Sequence, residues 1–198
     1  MIVVHKNKRQ QYPTVMKSES MITDNVPVIW TIGHSTHTWA EFLSWLQSFG
    51  IKCLVDVRSL PGSRKFPQFD KENLAVALPK SGISYRLIKE LGGRRKVLAD
   101  SKNIAWKHPA FRGYADYMET VSFREGITEL EKIARTQRTA VMCAEAVWWR
   151  CHRSMISDYL KVRGWQVFHI MGQHKETPHP FTKAAKVIHG RLHYDLPA

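Results

Sequence analysis

Short apolar runs alternate along this chain with segments whose apolar residues recur at helical spacing. The runs are about five residues long and rich in β-branched or aromatic residues, which is typical of buried strands. They lie at positions 28–32, 53–57, 85–88, 139–143 and 166–170. We interpret them as five strands that lie in the interior of the protein.

Four helices are predicted between these strands. Thr38 and Glu41 have capping-box spacing at the start of the first, whose apolar positions share one face of a 3.6-residue helix. Asp70 is a candidate cap for the second helix, and a Ser122–Glu125 pattern predicts the start of the third. The fourth is expected over 149–163. These helices are long enough to connect parallel strands.

Strands that alternate with such helices indicate an α/β fold with three layers, in which a mostly parallel five-stranded sheet carries helices on both faces. Residues 1–25 are predicted to form a flexible, basic N-terminal extension, and residues 26–198 a single domain. Residues 91–113 interrupt the alternation and are expected to form a long irregular loop. Pro180 favours a short final helix near 178–181.

Composition narrows the class of protein. The chain has 198 residues, and 43% of them are hydrophobic, which excludes a globally disordered chain. No stretch approaches the roughly 20 consecutive apolar residues of a membrane helix. Three cysteines are too few for a disulfide framework, and the first 20 residues lack the features of a secretory signal. We therefore predict a cytoplasmic protein with reduced thiols and no membrane partner.

The net charge is unusually high. The chain carries 30 Lys and Arg residues against 17 Asp and Glu residues, a formal charge of +13. Such a surplus is compatible with a nucleic acid or an anionic small molecule as the partner. It is also compatible with a contribution to solubility alone. Composition does not separate these possibilities.

Ionisable or glycine-rich residues follow every predicted strand. Because ligands of open parallel sheets bind at the carboxyl ends of the strands, the fold would bring these residues to one edge. This convergence predicts a functional site at that edge. The candidates from this argument are His34, Ser35, Arg58, Arg64, Gly92, Gly93, Arg94, Cys143, Glu145, Cys151, His152 and Arg153.

The segment from Cys143 to Arg153 carries the most chemical information. A strand ends on one thiol, a carboxylate follows at Glu145, and a second thiol, Cys151, precedes His152 at a helix start. A helix N-terminus stabilises anions and could lower the pKa of Cys151. Cys143 could equally be a small buried residue. We assign Cys143 or Cys151 as the nucleophile or a metal ligand. The candidates for general acid–base catalysis are Glu145, His152 and His34.

The remaining candidates suit an anion. Two glycines beside Arg94 could form a backbone nest, although a solvated basic turn is the simpler interpretation. Arg58 could contact an anion or form a structural ion pair with Asp56, and His34 could belong to an ordinary turn. Trp148 and Trp149 could form a lid or pocket wall. The predicted anion-binding set from this reasoning is Ser35, Arg58, Arg64, Gly92, Gly93, Arg94 and Arg153.

A bound metal ion is possible but not favoured by the sequence, and the cofactor is left open. Cys143, Cys151 and His152 are the candidate ligands, with His34 as a conceivable fourth. Their spacing matches no standard structural zinc pattern.

Several motifs together resemble a known family. They are T-I-G-H-S, D-V-R-x-x-P-x-S-R, E-L-G-G-R-R, F-R-G-Y-A-D-Y-M, M-C-A-E and C-H-R, in order over residues 30–193. The chain resembles the bacterial and archaeal family catalogued as domain of unknown function number 488. The resemblance implies a shared fold and polar constellation but no established activity. Through these motifs it adds Arg112 and Tyr114 to the substrate-binding candidates.

A more distant likeness concerns the layout. A strand that ends in Asp-Val-Arg, and a later strand that ends in Cys before a helix, are similar to rhodanese and Cys-phosphatase-like domains. In those domains loop amides and an arginine bind an oxyanion around a thiolate. Here the loop after Cys143 is rich in Trp, lacks Gly, and has Arg150 seven residues after the cysteine.

We therefore expect an enzyme, a thiol- or metal-dependent transferase or hydrolase, that acts on an anionic, nucleotide- or nucleic-acid-like substrate. One alternative is a nucleic-acid-binding protein without catalysis. Residues 86–107 hold seven basic residues against two acidic ones, a local charge of +5, with Trp106 available for stacking. The other alternative is a metal- or redox-sensing thiol protein built on Cys143 and Cys151.

Overall fold

The computed structural model describes residues 26–62 and 64–195, in which strands and helices alternate. The predicted extension at residues 1–25 lies outside the described residues. The strands are β1 (Val28–Gly33), β2 (Cys53–Asp56), β3 (Ser84–Leu87), β4 (Thr139–Cys143), β5 (Gln166–Gly172), β6 (Lys175–Pro178), β7 (Lys186–Ile188) and β8 (Arg191–His193). The helices are α1 (Trp39–Ser48), α2 (Lys71–Lys80), α3 (Pro109–Met118), α4 (Val121–Thr136) and α5 (Arg153–Val162).

Six strands form one sheet in the order β3-β2-β4-β1-β5-β6. All neighbours are parallel except β5 and β6, which are antiparallel. Strands β7 and β8 form a separate two-stranded sheet. The mostly parallel α/β sheet is confirmed, so the carboxyl ends of β1 to β5 share one edge.

The sheet separates two apolar clusters, as three layers require. Alternate strand residues point to opposite faces, so that Val141 and Met142 of β4 belong to different clusters. Helices α1 and α2 pack on one face, through side chains such as Phe42 and Leu74. Helices α3, α4 and α5 cover the other face, where Tyr114 and other apolar side chains are buried. Helices therefore lie on both faces.

The start of α1 follows the sequence pattern closely. Thr38 accepts a hydrogen bond from the Glu41 backbone amide through its Oγ1, at 3.3 Å, while the Glu41 carboxylate accepts from the Thr38 amide at 2.9 Å. This reciprocal pair confirms the predicted capping box. Asp70 stands at the N-cap position of α2.

Two expectations about the C-terminal third are wrong. The main sheet has six strands rather than five, because β6 adds an antiparallel edge strand whose four residues are all exposed. An exposed edge strand needs no apolar pattern, so periodicity gave no signal for it. No helix forms at 178–181, where β6 ends and an irregular segment leads to the β7–β8 hairpin. Pro180 therefore lies in a connection.

Two helix boundaries also differ from the predictions, and one helix, α3, was not predicted. The N-cap of α4 is Thr120, whose Oγ1 accepts from the Phe123 amide at 3.3 Å, and Ser122 lies inside the helix. Helix α5 begins at Arg153, because a 3₁₀ turn at Trp148–Arg150 precedes it. The irregular segment ends at residue 108, and α3 begins at Pro109. Capping patterns in the sequence did not locate these helix starts, because packing against the rest of the fold also determines where a helix begins.

No helix in the described ranges has the length and apolar character needed to cross a membrane.

Candidate functional site

A cavity of about 470 Å³ opens at the carboxyl edge of the sheet. The loops after β2, β3 and β4 and the beginning of α3 form its walls. Eight of the fourteen predicted site residues line it: Arg58, Gly93, Arg94, Tyr114, Cys143, Glu145, Cys151 and His152. The predicted convergence at this edge thus brings together both thiols, the carboxylate, one of the histidines and two of the arginines.

Two sulfur atoms and one imidazole nitrogen face one another in this cavity. Cys143 ends β4, Cys151 follows the 3₁₀ turn, and His152 precedes the first residue of α5. The Nδ1 atom of His152 lies 3.9 Å from Sγ of Cys143 and 3.7 Å from Sγ of Cys151. All three candidate ligand atoms are within 4.8 Å of one another. We call Cys143, Cys151 and His152 the thiol cluster.

The orientation of His152 is set by a backbone carbonyl. Its Nε2 lies 3.1 Å from the carbonyl oxygen of Val57, which only accepts hydrogen bonds, so Nε2 carries a proton. In a neutral ring Nδ1 is then the atom with a free lone pair. This places an acceptor, and a possible metal ligand, between the two sulfurs.

Two neighbours hold the imidazole ring in place. A Cβ atom added to Gly93 would lie 2.9 Å from Nδ1 of His152, so only glycine leaves room for the ring. On another side Tyr114 packs edge-on at 5.0 Å between ring centroids, and its hydroxyl donates to the Leu91 carbonyl at 2.8 Å. Tyr114 and Gly93 therefore restrict the position of the His152 ring, and both lie in the cavity wall beside it.

The two thiols differ in their ionisation. The hydrogen bond from Cys151, and then the Arg153 charge, hold the pKa of Cys143 well below its ordinary value. Burial raises the pKa of Cys151 well above the usual range, and the hydrogen bond to Cys143 adds to this. The expectation that the helix start lowers the pKa of Cys151 is wrong, because Cys151 is the donor of this buried pair. Cys143 is therefore the more acidic of the two thiols.

Arg58 is held by a buried carboxylate. Its Nε and Nη2 bind the two oxygens of Asp56 at 2.9 and 2.6 Å, so the ion pair that the sequence suggested is present. Nη2 also donates to the Phe69 carbonyl at 2.7 Å, and Nη1 lies 3.2 Å from Nε2 of His34. Among the described residues these contacts occupy four of the five N–H groups of the guanidinium, which leaves one on Nη1. The same arginine lines the cavity.

His34 supports Arg58 instead of lining the cavity. Nη1 of Arg58 can only donate, so Nε2 of His34 accepts, and Nδ1 donates to the Ser35 carbonyl at 3.0 Å. Its ring stacks on Phe69 at 4.4 Å. Burial, and then the Arg58 charge, lower the pKa of His34, which keeps the ring neutral.

Arg153 also lies behind the cavity wall. It is 2% exposed and donates to the carbonyls of Glu145 and Ala146, at 2.6 and 2.9 Å. A side chain at Gly33 would collide with the same Glu145 carbonyl. Arg153 thus fixes the loop between β4 and α5, while its charge stabilises the Cys143 thiolate.

The other four predicted residues do not line the cavity. Ser35 is half-buried in a left-handed backbone conformation with φ of 46°, and Arg64 is exposed in the loop before α2. Gly92 is buried against Ser59, whose Oγ would lie 2.6 Å from an added Cβ. The Nε of Arg112 donates to the Trp106 carbonyl at 3.0 Å.

The cavity contains residues that the sequence argument did not select. Arg150 and the ring of Trp149, which is 53% exposed, belong to the loop after β4, while His108 and Phe111 come from the start of α3. Treating residues 91–113 as one loop hid the second pair, because Pro109 begins a helix that turns toward the cavity. Trp148 stacks on His169 at 4.3 Å and does not line the cavity.

A second buried polar group lies between β1, β5 and α5. Its hydrogen bonds run from Thr31 Oγ1 to His169 Nδ1 at 2.7 Å, from His169 Nε2 to His179 Nδ1 at 2.9 Å, and from His179 Nε2 to Asp158 at 2.9 Å. Thr182 and Tyr194 also donate to the Asp158 carboxylate. We call Thr31, Asp158, His169 and His179 the histidine network. The residues come from distant parts of the chain, so sequence spacing gave no signal for it.

Comparisons with known proteins bear on the family alone. A family model described as Domain of unknown function DUF488 matches residues 38–160. No curated protein and no solved structure matches the chain. The likeness in layout to rhodanese and Cys-phosphatase-like domains therefore stays a prediction. The matched range runs from α1 into α5 and includes the whole thiol cluster, so the predicted family is confirmed: the chain belongs to the family Domain of unknown function DUF488.

Proposed function

We propose that this protein is an enzyme, a transferase or hydrolase, that acts on an anionic, nucleotide-like substrate in the cavity at the carboxyl edge. One observation carries the proposal: the thiol cluster lines the same cavity as Arg58, Arg94 and Arg150. Reactive sulfur chemistry and a substrate anion would thus meet within one space of about 470 Å³. That volume suits a ligand of nucleotide size.

The arginines are available to an anion. Arg94 and Arg150 are exposed, and neither side chain forms an ion pair within the described ranges. Arg58 keeps one N–H on Nη1 while its ion pair with Asp56 holds the guanidinium rigid. A buried arginine held by an ion pair, with two exposed arginines in the same cavity, is a suitable arrangement for a phosphate group.

Aromatic rings supply the second half of the argument. Trp149 is 53% exposed at the cavity, and Phe111 and His108 stand in the same wall. Flat aromatic surfaces beside arginines favour a planar base that carries a phosphate, because stacking and charge act on different parts of one ligand. Glu145 is the carboxylate in this cavity and is our candidate for general acid–base work.

Binding of adenosine monophosphate and of inorganic phosphate, followed by calorimetry, tests the proposal. We expect adenosine monophosphate to bind, and Arg94→Ala to weaken it about tenfold, which is the loss of one charge-assisted hydrogen bond. Arg191→Ala is the matched control, because Arg191 is exposed on β8 and does not line this cavity. Its affinity should equal that of the native chain.

Two outcomes would overturn the proposal. One is the absence of binding by the nucleotide and by phosphate. The other is an equal loss of affinity in both variants, which would indicate attraction by the net charge of +13 alone. Binding of oligonucleotides but not of the mononucleotide would favour a nucleic-acid-binding protein instead.

A further inference from the structure

We propose that Cys143, Cys151 and His152 bind a Zn²⁺-type metal ion whose fourth coordination position faces the cavity. This inference deepens the proposed function and rests on it for its catalytic meaning, because it identifies the reacting centre of that enzyme. The ion-binding site itself follows from the geometry of the thiol cluster.

The distances in the thiol cluster are close to those of a tetrahedral zinc site. Zinc binds thiolate sulfur at about 2.3 Å and imidazole nitrogen at about 2.0 Å, which sets sulfur–nitrogen edges of roughly 3.5 Å. The corresponding distances from His152 Nδ1 are 3.9 Å to Cys143 and 3.7 Å to Cys151. Contraction by a few tenths of an ångström would therefore complete the ligand set, without a change in the backbone path.

The histidine is already oriented as a ligand. Histidines that bind metals usually donate their other ring nitrogen to a carboxylate or a backbone carbonyl. Here Nε2 of His152 is committed to the Val57 carbonyl at 3.1 Å, which leaves Nδ1 toward the sulfurs. Gly93 and Tyr114 restrict the ring from two sides. The orientation is therefore part of the fold and needs no metal to establish it.

The two thiols come from segments that the backbone holds firmly. Cys143 is the last residue of a central strand, paired with Gly33 of β1. The amide of Cys151 donates to the Trp148 carbonyl at 3.1 Å, and Arg153 fixes the intervening loop through two carbonyls. This loop explains why seven residues separate the cysteines. The spacing differs from structural zinc motifs because a 3₁₀ turn, not a zinc knuckle, brings the sulfurs together.

The ligand set selects the type of ion and of site. Two thiolates favour Zn²⁺ over Mg²⁺ or Ca²⁺, which prefer oxygen ligands. Three protein ligands leave the fourth position for water or substrate, as in catalytic zinc sites, whereas structural sites have four. Glu145 and Arg58 line the cavity into which that position opens. A zinc-bound water there would be polarised beside a carboxylate and an anion-binding arginine.

The test uses the full-length, untagged chain, reduced and stripped of metal with a chelator. Titration with Zn²⁺ alone should show one ion bound per chain, and Co²⁺ should give the intense sulfur-to-metal charge-transfer absorption of a thiolate site. Cys143→Ala, Cys151→Ala and His152→Ala should each lower the Zn²⁺ affinity about tenfold or more. Cys53→Ala is the control, because Cys53 is a buried free thiol at the opposite end of its strand.

A second measurement needs no variant and keeps the proposal falsifiable if a variant fails to fold. Zinc should slow the alkylation of Cys143 and Cys151 relative to the metal-free native chain, as read by mass spectrometry. A reduced chain that takes up no Zn²⁺, or that binds it equally after Cys143→Ala, would overturn the inference. The zinc titration contains no nucleotide, so its result is independent of the nucleotide-binding experiment. Nucleotide binding without zinc binding would refute the metal site and leave the proposed substrate standing.

Discussion

The thiol cluster and the histidine network are two buried polar groups that both use residues of segment 148–158. The network is closed: its contacts lie between 2.7 and 2.9 Å, and the side chains of Asp158 and His179 are 0% exposed. The thiol cluster opens to a cavity, its contacts between sulfur and nitrogen are 3.7 and 3.9 Å long, and one conventional hydrogen bond, from His152, anchors it.

The difference separates polar groups whose hydrogen-bonding capacity is used within the fold from those that keep capacity for a ligand. Buried polar atoms that satisfy one another contribute specificity to the core and have no capacity left for another molecule. Atoms that face a cavity with free lone pairs retain that capacity. Segment 148–158 belongs to both groups, because Trp148 stacks on His169 while Cys151 and His152 face the cavity. The histidine network therefore supports the position of the thiol cluster.

The largest effect is expected from Asp158→Asn. The carboxylate accepts from His179, Tyr194 and twice from Thr182, so an amide NH₂ would face donors on one side. We expect the free energy of unfolding to fall by about 3–5 kcal/mol, measured with urea. Asp100→Asn, at an exposed carboxylate, should stay within about 0.5 kcal/mol of the native chain. A similar small loss for Asp158→Asn would contradict the role assigned to the network.

The sequence predicts the framework of the fold because buried parallel strands have a strong apolar signal. Positions 53–57 and 139–143 match β2 and β4 almost residue for residue. Helix α3 is missed because Gly113 and polar residues interrupt its pattern, although Gly113 lies against the backbone of residues 95–97. Gly113, which interrupts the apolar pattern, is thus the residue that this close packing requires.

The sequence predicts that the site lies at the carboxyl edge of the sheet, but it does not predict which side chains face the cavity. Knowing that strands end together is enough to group Cys143, Cys151 and His152 with Arg58. Which histidine faces the cavity depends on the carbonyl of Val57 and on Arg58, and those contacts join residues far apart in the chain. His34 and Arg153 have the same residue types as cavity residues, but tertiary contacts turn them into supports.

Gly93→Ala should sharpen the comparison by disturbing the open cluster alone. The new Cβ would lie 2.9 Å from Nδ1 of His152, so the ring must leave its present position beside the sulfurs. We expect a loss of about 1–3 kcal/mol in unfolding free energy, less than for Asp158→Asn, together with weaker zinc binding. Gly172→Ala is the control, because the nearest atom to its Cβ would be a Lys175 side-chain carbon at 3.6 Å. Unchanged zinc affinity in Gly93→Ala would show that His152 is not held as described.

The smallest effect concerns the pH dependence of stability. Burial, and then the neighbouring His179, lower the pKa of His169 from 6.5 to about 2, so the ring stays neutral in the folded protein. The unfolded chain takes up a proton below about pH 6.5, so this contribution to stability is complete above that pH and decreases as the pH falls. We expect a slope of up to about 1.4 kcal/mol per pH unit from this group.

Urea unfolding at about pH 7, 6 and 5 measures this slope, and His169→Gln provides the comparison because glutamine keeps polar contacts but does not titrate. The profile of the variant should be shallower, although not flat, since the pKa of His34 is lowered as well. Equal slopes for the two chains would mean that His169 takes up its proton without unfolding. The network would then be a titrating site like the cavity, and the contrast between a closed and an open polar group would fail.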